Sequence, residues 1–188
     1  LDNLFIMKCD LTIILLLKDR HDFNEQFLNS YIKNNINFKL IISDGGKKKL
    51  KKKILNKIEN EQSIKYFSFM EDKNYYLYYK KIYNTLKKVD TKYVLFAAND
   101  DFFIYKIINK CVNFLNKNKN FIGASGTMIG FEINKKFKLK NFHRMYDFIE
   151  LTQKNNLKRF NHYIKNFFDV TRFCIMKKHV LLKNYKVA

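Results

Sequence analysis

Two adjacent carboxylates, Asp100 and Asp101, close an uncharged apolar run, Tyr93-Val94-Leu95-Phe96-Ala97-Ala98, with Asn99 between run and acids. A short apolar run bounded by polar residues reads as a buried strand of a parallel sheet. Neighbouring acids at the mouth of such a strand repel each other and lose hydration. A divalent cation relieves both costs, and hard oxygen ligands are what Mg²⁺ or Mn²⁺ prefers. Asp100 and Asp101 are therefore candidate metal ligands. The competing interpretation is a helix start, with Asn99 or Asp100 as cap and its neighbour complementing the helix dipole.

Two more polar clusters end predicted strands. Lys18-Asp19-Arg20 follows the apolar run Leu11 to Leu17, and Ser43-Asp44-Gly45-Gly46 closes a run that starts at Phe38. In a parallel sheet all three clusters meet at one edge, the edge where open α/β sheets bind ligands. Each cluster alone is explained by a turn or cap, and the convergence points to a site.

The elements that must position these residues alternate along the chain. Strands are predicted at Leu11–Leu17, Phe38–Ser43, Ile64–Phe69, Tyr93–Ala98 and Val170–Met176, with a looser extended segment from Asn120 to Ile129. Helices are predicted from Asp22, where Asp22 and Glu25 form a capping-box-like pair, and over Lys47–Asn60, Asn74–Val89, Phe103–Leu115, Phe142–Phe167 with a break near Asn155-Asn156, and Lys177–Tyr185. This order predicts one α/β domain over 1–188, a mainly parallel sheet with helices on both faces. The tyrosines Tyr75, Tyr76, Tyr78 and Tyr79 are read first as core and rim of a helix and second as sugar-stacking groups.

The three clusters, in this order, resemble the family 2 glycosyltransferases of the GT-A fold, which are inverting nucleotide-sugar enzymes. Ile14-Leu15-Leu16-Leu17-Lys18-Asp19-Arg20 stands for the family's first strand and turn, Ile41-Ile42-Ser43-Asp44-Gly45-Gly46 for its Asp-Asp-Gly-Ser, and Val94 to Phe102 for its Asp-x-Asp-Asp segment. Lys80-Lys81-Ile82-Tyr83-Asn84-Thr85-Leu86 is similar to the helix preceding that segment. The resemblance covers about Leu11 to Gly130. It implies a metal-dependent, hexosyltransferase-type enzyme with a nucleotide-sugar donor and a glycan or lipid-linked acceptor. It implies donor contacts from Arg20, Asp44 and Asn99, and a Mg²⁺ or Mn²⁺ on Asp100 and Asp101. Asp169, followed by Arg172, is the implied catalytic base, with Asp147 and Glu150 as alternatives. The chain departs from the family in Leu16-Leu17 for Pro-Thr, in Ala98 or Asn99 for the first acid, and in Gly46 for a Ser. A chain without its base would be a truncated enzyme or an inactive homologue.

Composition bounds the alternatives. The formal charge is +20, from 37 Lys and Arg against 17 acids. It raises a basic nucleic-acid-binding module as the alternative function, or a peripheral contact of the Lys47–Lys53 stretch with anionic membrane. The abundance of Lys, Asn, Ile, Phe and Tyr is also what AT-rich coding imposes, and no helix-turn-helix, zinc or ribonucleoprotein motif supports nucleic acid. Cys9, Cys111 and Cys174 lie far apart and have no zinc or redox spacing, which suits a reducing, cytoplasmic setting. No apolar run approaches membrane-spanning length, and no signal peptide is expected from Leu1 to Asp10.

Overall fold

The structure, a computed structural model, describes residues 10–34, 37–133, 138–144, 150–165 and 173–186. The first strand, β1 (Leu11–Leu17), is at the centre of the sheet and almost wholly buried. Alternate side chains serve opposite faces. Ile13, Leu15 and Leu17 join one core, and Ile14 joins the other. The elements then follow as α1 (His21–Lys33), β2 (Lys39–Asp44), α2 (Lys52–Glu59), β3 (Ile64–Ser68), α3 (Tyr75–Lys88), β4 (Tyr93–Ala97) and α4 (Tyr105–Lys117). After these come β5 (Gly123–Ala124), β6 (Ile129–Ile133), β7 (Leu139–Arg144), α5 (Asn156–Lys165), β8 (Ile175–Lys177) and α6 (Lys178–Tyr185).

Six strands form one sheet in the order β3-β2-β1-β4-β8-β5. The first four run parallel, β8 is antiparallel to β4, and β5 is antiparallel to β8. Strands β6 and β7 form a separate antiparallel hairpin. The chain winds outward from β1 to β3, then returns to place β4 on the other side of β1. The carboxyl ends of β1 and β4 therefore flank a topological switch point, where open α/β sheets leave a crevice. Leu17 is in register with Asp44, and Leu15 with Ala97, so the three predicted clusters emerge side by side.

Helices α1, α2 and α4 cover one face through Phe27, Leu28, Ile54, Ile58, Ile108 and Val112. Helices α3 and α6 cover the other through Ile82, Leu86 and Leu181. Buried hydroxyls pair with one another, Thr12 with Thr91 and Ser43 with Thr85, each at 2.7 Å. Among the described residues no helix is long and apolar enough to cross a membrane.

Several local expectations change. Helix α1 starts at His21 after Arg20, and no side chain caps it, so the Asp22–Glu25 box is not formed. Helix α2 starts only at Lys52, because residues 45–50 are drawn into a loop by Asp44. Helix α4 starts at Tyr105 behind Ile104, so neither Asn99 nor Asp100 caps it. The stretch predicted as a helix from Phe142 opens in strand β7, where Phe142 pairs with Phe131. The extended segment from Asn120 splits into β5 and β6. Residues 170–172 of the last predicted strand lie outside the described residues.

Candidate functional site

The turn after β1 is bent by two consecutive non-glycine residues in the left-handed region, Asp19 at φ 58° and Arg20 at φ 57°. Such a conformation is costly for residues with a Cβ and persists only when the surroundings hold it. Two buried amides do so. Asn24 Nδ2 donates to the Asp19 carbonyl at 3.1 Å. Asn99 Nδ2 donates to Asn24 Oδ1 at 2.7 Å and to the Arg20 carbonyl at 3.3 Å. The turn after β1 is thereby bound to the acidic loop after β4. The Arg20 guanidinium reaches across to Asp100 Oδ2 at 2.9 Å and stacks over the Phe23 ring.

Asp44, buried at the end of β2, organises the next loop. Its Oδ1 accepts the Gly46 N–H, and its Oδ2 accepts the Leu50 N–H and the Tyr66 hydroxyl. Three internal donors thus occupy this carboxylate. Burial and the Asp44 charge together push the Tyr66 hydroxyl well above the usual phenol range. The Lys49 ammonium donates to the Asp44 and Phe69 carbonyls, and the Lys48 N–H to Asp19 Oδ1. Lys47 to Lys51, expected to open a helix, instead form a loop across the mouth of the sheet, and the helix begins at Lys52. Both glycines of this loop are sterically required. A Cβ on Gly46 would stand 2.8 Å from the Asp19 nitrogen, and one on Gly45 would stand 2.4 Å from the Asp72 carboxylate.

Asp72 and Lys81 escaped the reading of the sequence. They form an ion pair in which each side chain is 2 % exposed. Lys81 Nζ also donates to the Leu17 carbonyl at 3.1 Å, and Lys18 Nζ to the Asp72 carbonyl at 2.7 Å. Asp72 Oδ1 is buried with no hydrogen-bond partner among the described residues. Burial lowers the Lys81 ammonium below the ordinary lysine range, against the pull of Asp72. A signal was present, since Lys81 falls in helical phase with Tyr78, Ile82 and Thr85, on the face that α3 turns to the core.

The acidic loop turns tightly. Asp101 Oδ2 accepts the Ala98 N–H at 2.8 Å, and the Asp101 N–H returns to the Ala98 carbonyl. Burial raises the Asp101 carboxyl above the usual carboxylate range, and the neighbouring charge of Asp100 adds to the rise. Asp101 lines a cleft of about 180 Å³ with Lys18, Tyr78, Lys81, Phe96 and Tyr185 among its walls. The structure thus brings Arg20, Asp44, Asn99, Asp100 and Asp101 to one sheet edge. Among the described residues no three acidic, histidine or cysteine side chains gather as a metal cluster. Glu150 is exposed, while Asp147 and Asp169 lie outside the described residues. Tyr75 and Tyr76 are exposed, whereas Tyr79 packs between Tyr78 and Tyr185.

A mainly parallel sheet with a switch point, two-sided helical cover and a polar crevice at its carboxyl edge defines the doubly wound α/β class, to which the GT-A nucleotide-diphospho-sugar transferases belong. The crystal structure of S. aureus TarS 1-349 superposes with a TM-score of 0.57 at 14% identity, covering 93% of this chain and 48% of that one. A second S. aureus TarS structure gives a TM-score of 0.47 at 18% identity, covering 57% of this chain and 19% of the other. A CMP:2-keto-3-deoxy-manno-octonic acid synthetase complexed with CTP gives 0.46 at 8% identity, over 94% and 77% of the two chains. The chain therefore spans about half of the shorter TarS structure and about a fifth of the longer. No curated protein sequence matches it. The sequence profile described as glycosyl transferase family 2 matches residues 12–184, and the chain belongs to that family.

Proposed function

We propose that the chain binds a nucleoside diphosphate sugar at the carboxyl edge of its sheet and transfers the sugar, with inversion, to a glycan or lipid-linked acceptor. One observation carries this reading within the family: the turns after β1, β2 and β4 meet at one sheet edge, the first tied to the third by Asn24, Asn99 and the Arg20–Asp100 ion pair, and to the second by the Lys48 N–H on Asp19 Oδ1.

The site's donor set fits a divalent cation. Asp100 and Asp101 offer adjacent hard-oxygen donors, and partial burial raises the Asp101 carboxyl, a cost that a cation would relieve. These two residues would hold Mg²⁺ or Mn²⁺, which when bound neutralises the departing diphosphate as a Lewis acid. The chain's own cations act alongside. Arg20 and Lys18 stand at the mouth and offer charge to the diphosphate. Asp44 serves the donor by holding the Gly45–Leu50 loop in place, and Asn99 serves it by fixing the Arg20 turn. Asp169 is the base we assign to the acceptor hydroxyl, which needs a carboxylate within hydrogen-bond reach.

The test is calorimetric titration with UDP, with and without Mn²⁺. Tight binding is expected only with the metal, and Asp100→Ala should weaken it at least tenfold. Asp169→Asn should bind UDP normally and lose turnover. Metal-independent binding, or an Asp100→Ala variant equal to the parent, would refute the proposed site.

A further inference from the structure

Helix α5 has no buried residue, and only Arg159, His162 and Tyr163 are partly covered. Its start is well made. Asn155 Oδ1 caps the Lys158 N–H, and Arg159 folds back onto the Gln153 carbonyl and Asn156 Oδ1. A ten-residue helix is nevertheless marginal in water by itself, and protein helices of this length depend on a covered apolar face. That face exists here: Leu157, Phe160 and Ile164 recur at helical spacing and are 68%, 59% and 53% exposed.

The surroundings of the stripe identify what covers it. Residues 151–165 contain no acid, and Lys154, Lys158 and Lys165 follow one flank of the stripe at helical spacing. A short helix with a bulky apolar face, a basic border and no acids matches the boundary between anionic headgroups and acyl chains. A second copy of this strongly basic chain would set like charges against each other at that face.

We propose that α5 is an in-plane membrane anchor, seating Leu157, Phe160 and Ile164 among the acyl chains of an anionic lipid surface. This surface is separate from the Lys47–Lys53 run, whose Lys48 backbone N–H and Lys49 ammonium are engaged in the mouth of the sheet. It also stands or falls independently of the nucleotide site.

The experiment is flotation of the full chain with phosphatidylcholine vesicles, with or without phosphatidylglycerol, at low and high salt. Binding is expected only to the anionic vesicles, and salt should weaken it by screening. Phe160→Glu with Ile164→Glu should reduce partitioning on the order of a hundredfold. Lys158→Glu with Lys165→Glu should reduce it at least about tenfold. Lys52→Glu with Lys53→Glu, exposed on α2, makes the same change in net charge and should leave most binding intact. Every variant should retain its thermal unfolding transition and its UDP binding, since every substituted side chain is exposed. Equal binding to neutral vesicles, equal loss in the α2 control, or retention in the Phe160–Ile164 variant would overturn the anchor. A parent chain that proves dimeric through α5, and becomes monomeric in that variant, would overturn it as well.

Discussion

Lys81 and Asp72 show how much one pair of side chains sets at this edge. The ammonium links the carbonyl at the end of β1 to the carboxylate after β3, and Gly45 leaves the space that the carboxylate fills. Breaking a buried pair leaves an uncompensated charge, whereas replacing both members is far milder. Lys81→Met should cost about 3–5 kcal/mol in urea unfolding. Adding Asp72→Asn to it should recover most of that loss. Asp101 offers a pH test with a definite sign. Its folded carboxyl is raised above 3.8, so the folded state binds more protons than the unfolded state in the range just above that value. The cost of burying its charge is fully present above the folded value and is relieved as pH falls through it. Asp101→Asn keeps an oxygen for the Ala98 N–H and removes the charge. The stability of the parent relative to this variant should therefore rise on acidification toward pH 4, measured by denaturant unfolding at each pH. A flat difference would remove the buried charge from the account.

At the scale of elements, the parallel strands were readable because continuous apolar runs bounded by polar turns have few alternatives. Leu11–Leu17 is found as read, the strand from Tyr93 ends one residue early at Ala97, and α3 starts behind Asn74, whose side chain accepts the Leu77 N–H. The misreadings share a cause. Lys47 to Lys51 keep helical phase through Leu50, yet the carboxylate of Asp44 outbids the helix for the Gly46 and Leu50 N–H groups. Phe142 sits in a segment with helical apolar spacing, but its cross-strand partner Phe131, itself packed near Phe102, is not visible in a local window. The site was legible to the same degree. The acids and Arg20 announce themselves by type and position, whereas the Asn24–Asn99 contact and the Asp72–Lys81 pair join residues through the fold alone. Gly46, read as a missing Ser, is a fixed requirement, because a Cβ there would collide with the backbone at Asp19.

For the whole molecule, a charge of +20 surrounds the mouth proposed to take the donor diphosphate. Such a field gathers anionic ligands and speeds their capture, and salt screens it within about 10 Å at 0.1 M. The association rate of UDP with the Mn²⁺-loaded protein should fall steeply from low to high ionic strength in stopped-flow fluorescence, with the dissociation rate changing much less. A rate insensitive to salt would make the lysines bystanders in donor capture.

The central position of β1 also has a consequence for biosynthesis. Thr12 on β1 meets its hydroxyl partner Thr91 at a separation of 79 positions, and β4 follows directly after it. At about 5–20 residues per second, a ribosome needs about 4–16 s to deliver that flank. Throughout that interval the greasiest segment of the polypeptide emerges with one side unpaired. Slowing translation ahead of Tyr93 should therefore increase the fraction of chains lost to aggregates, measured by sedimentation of the newly made protein.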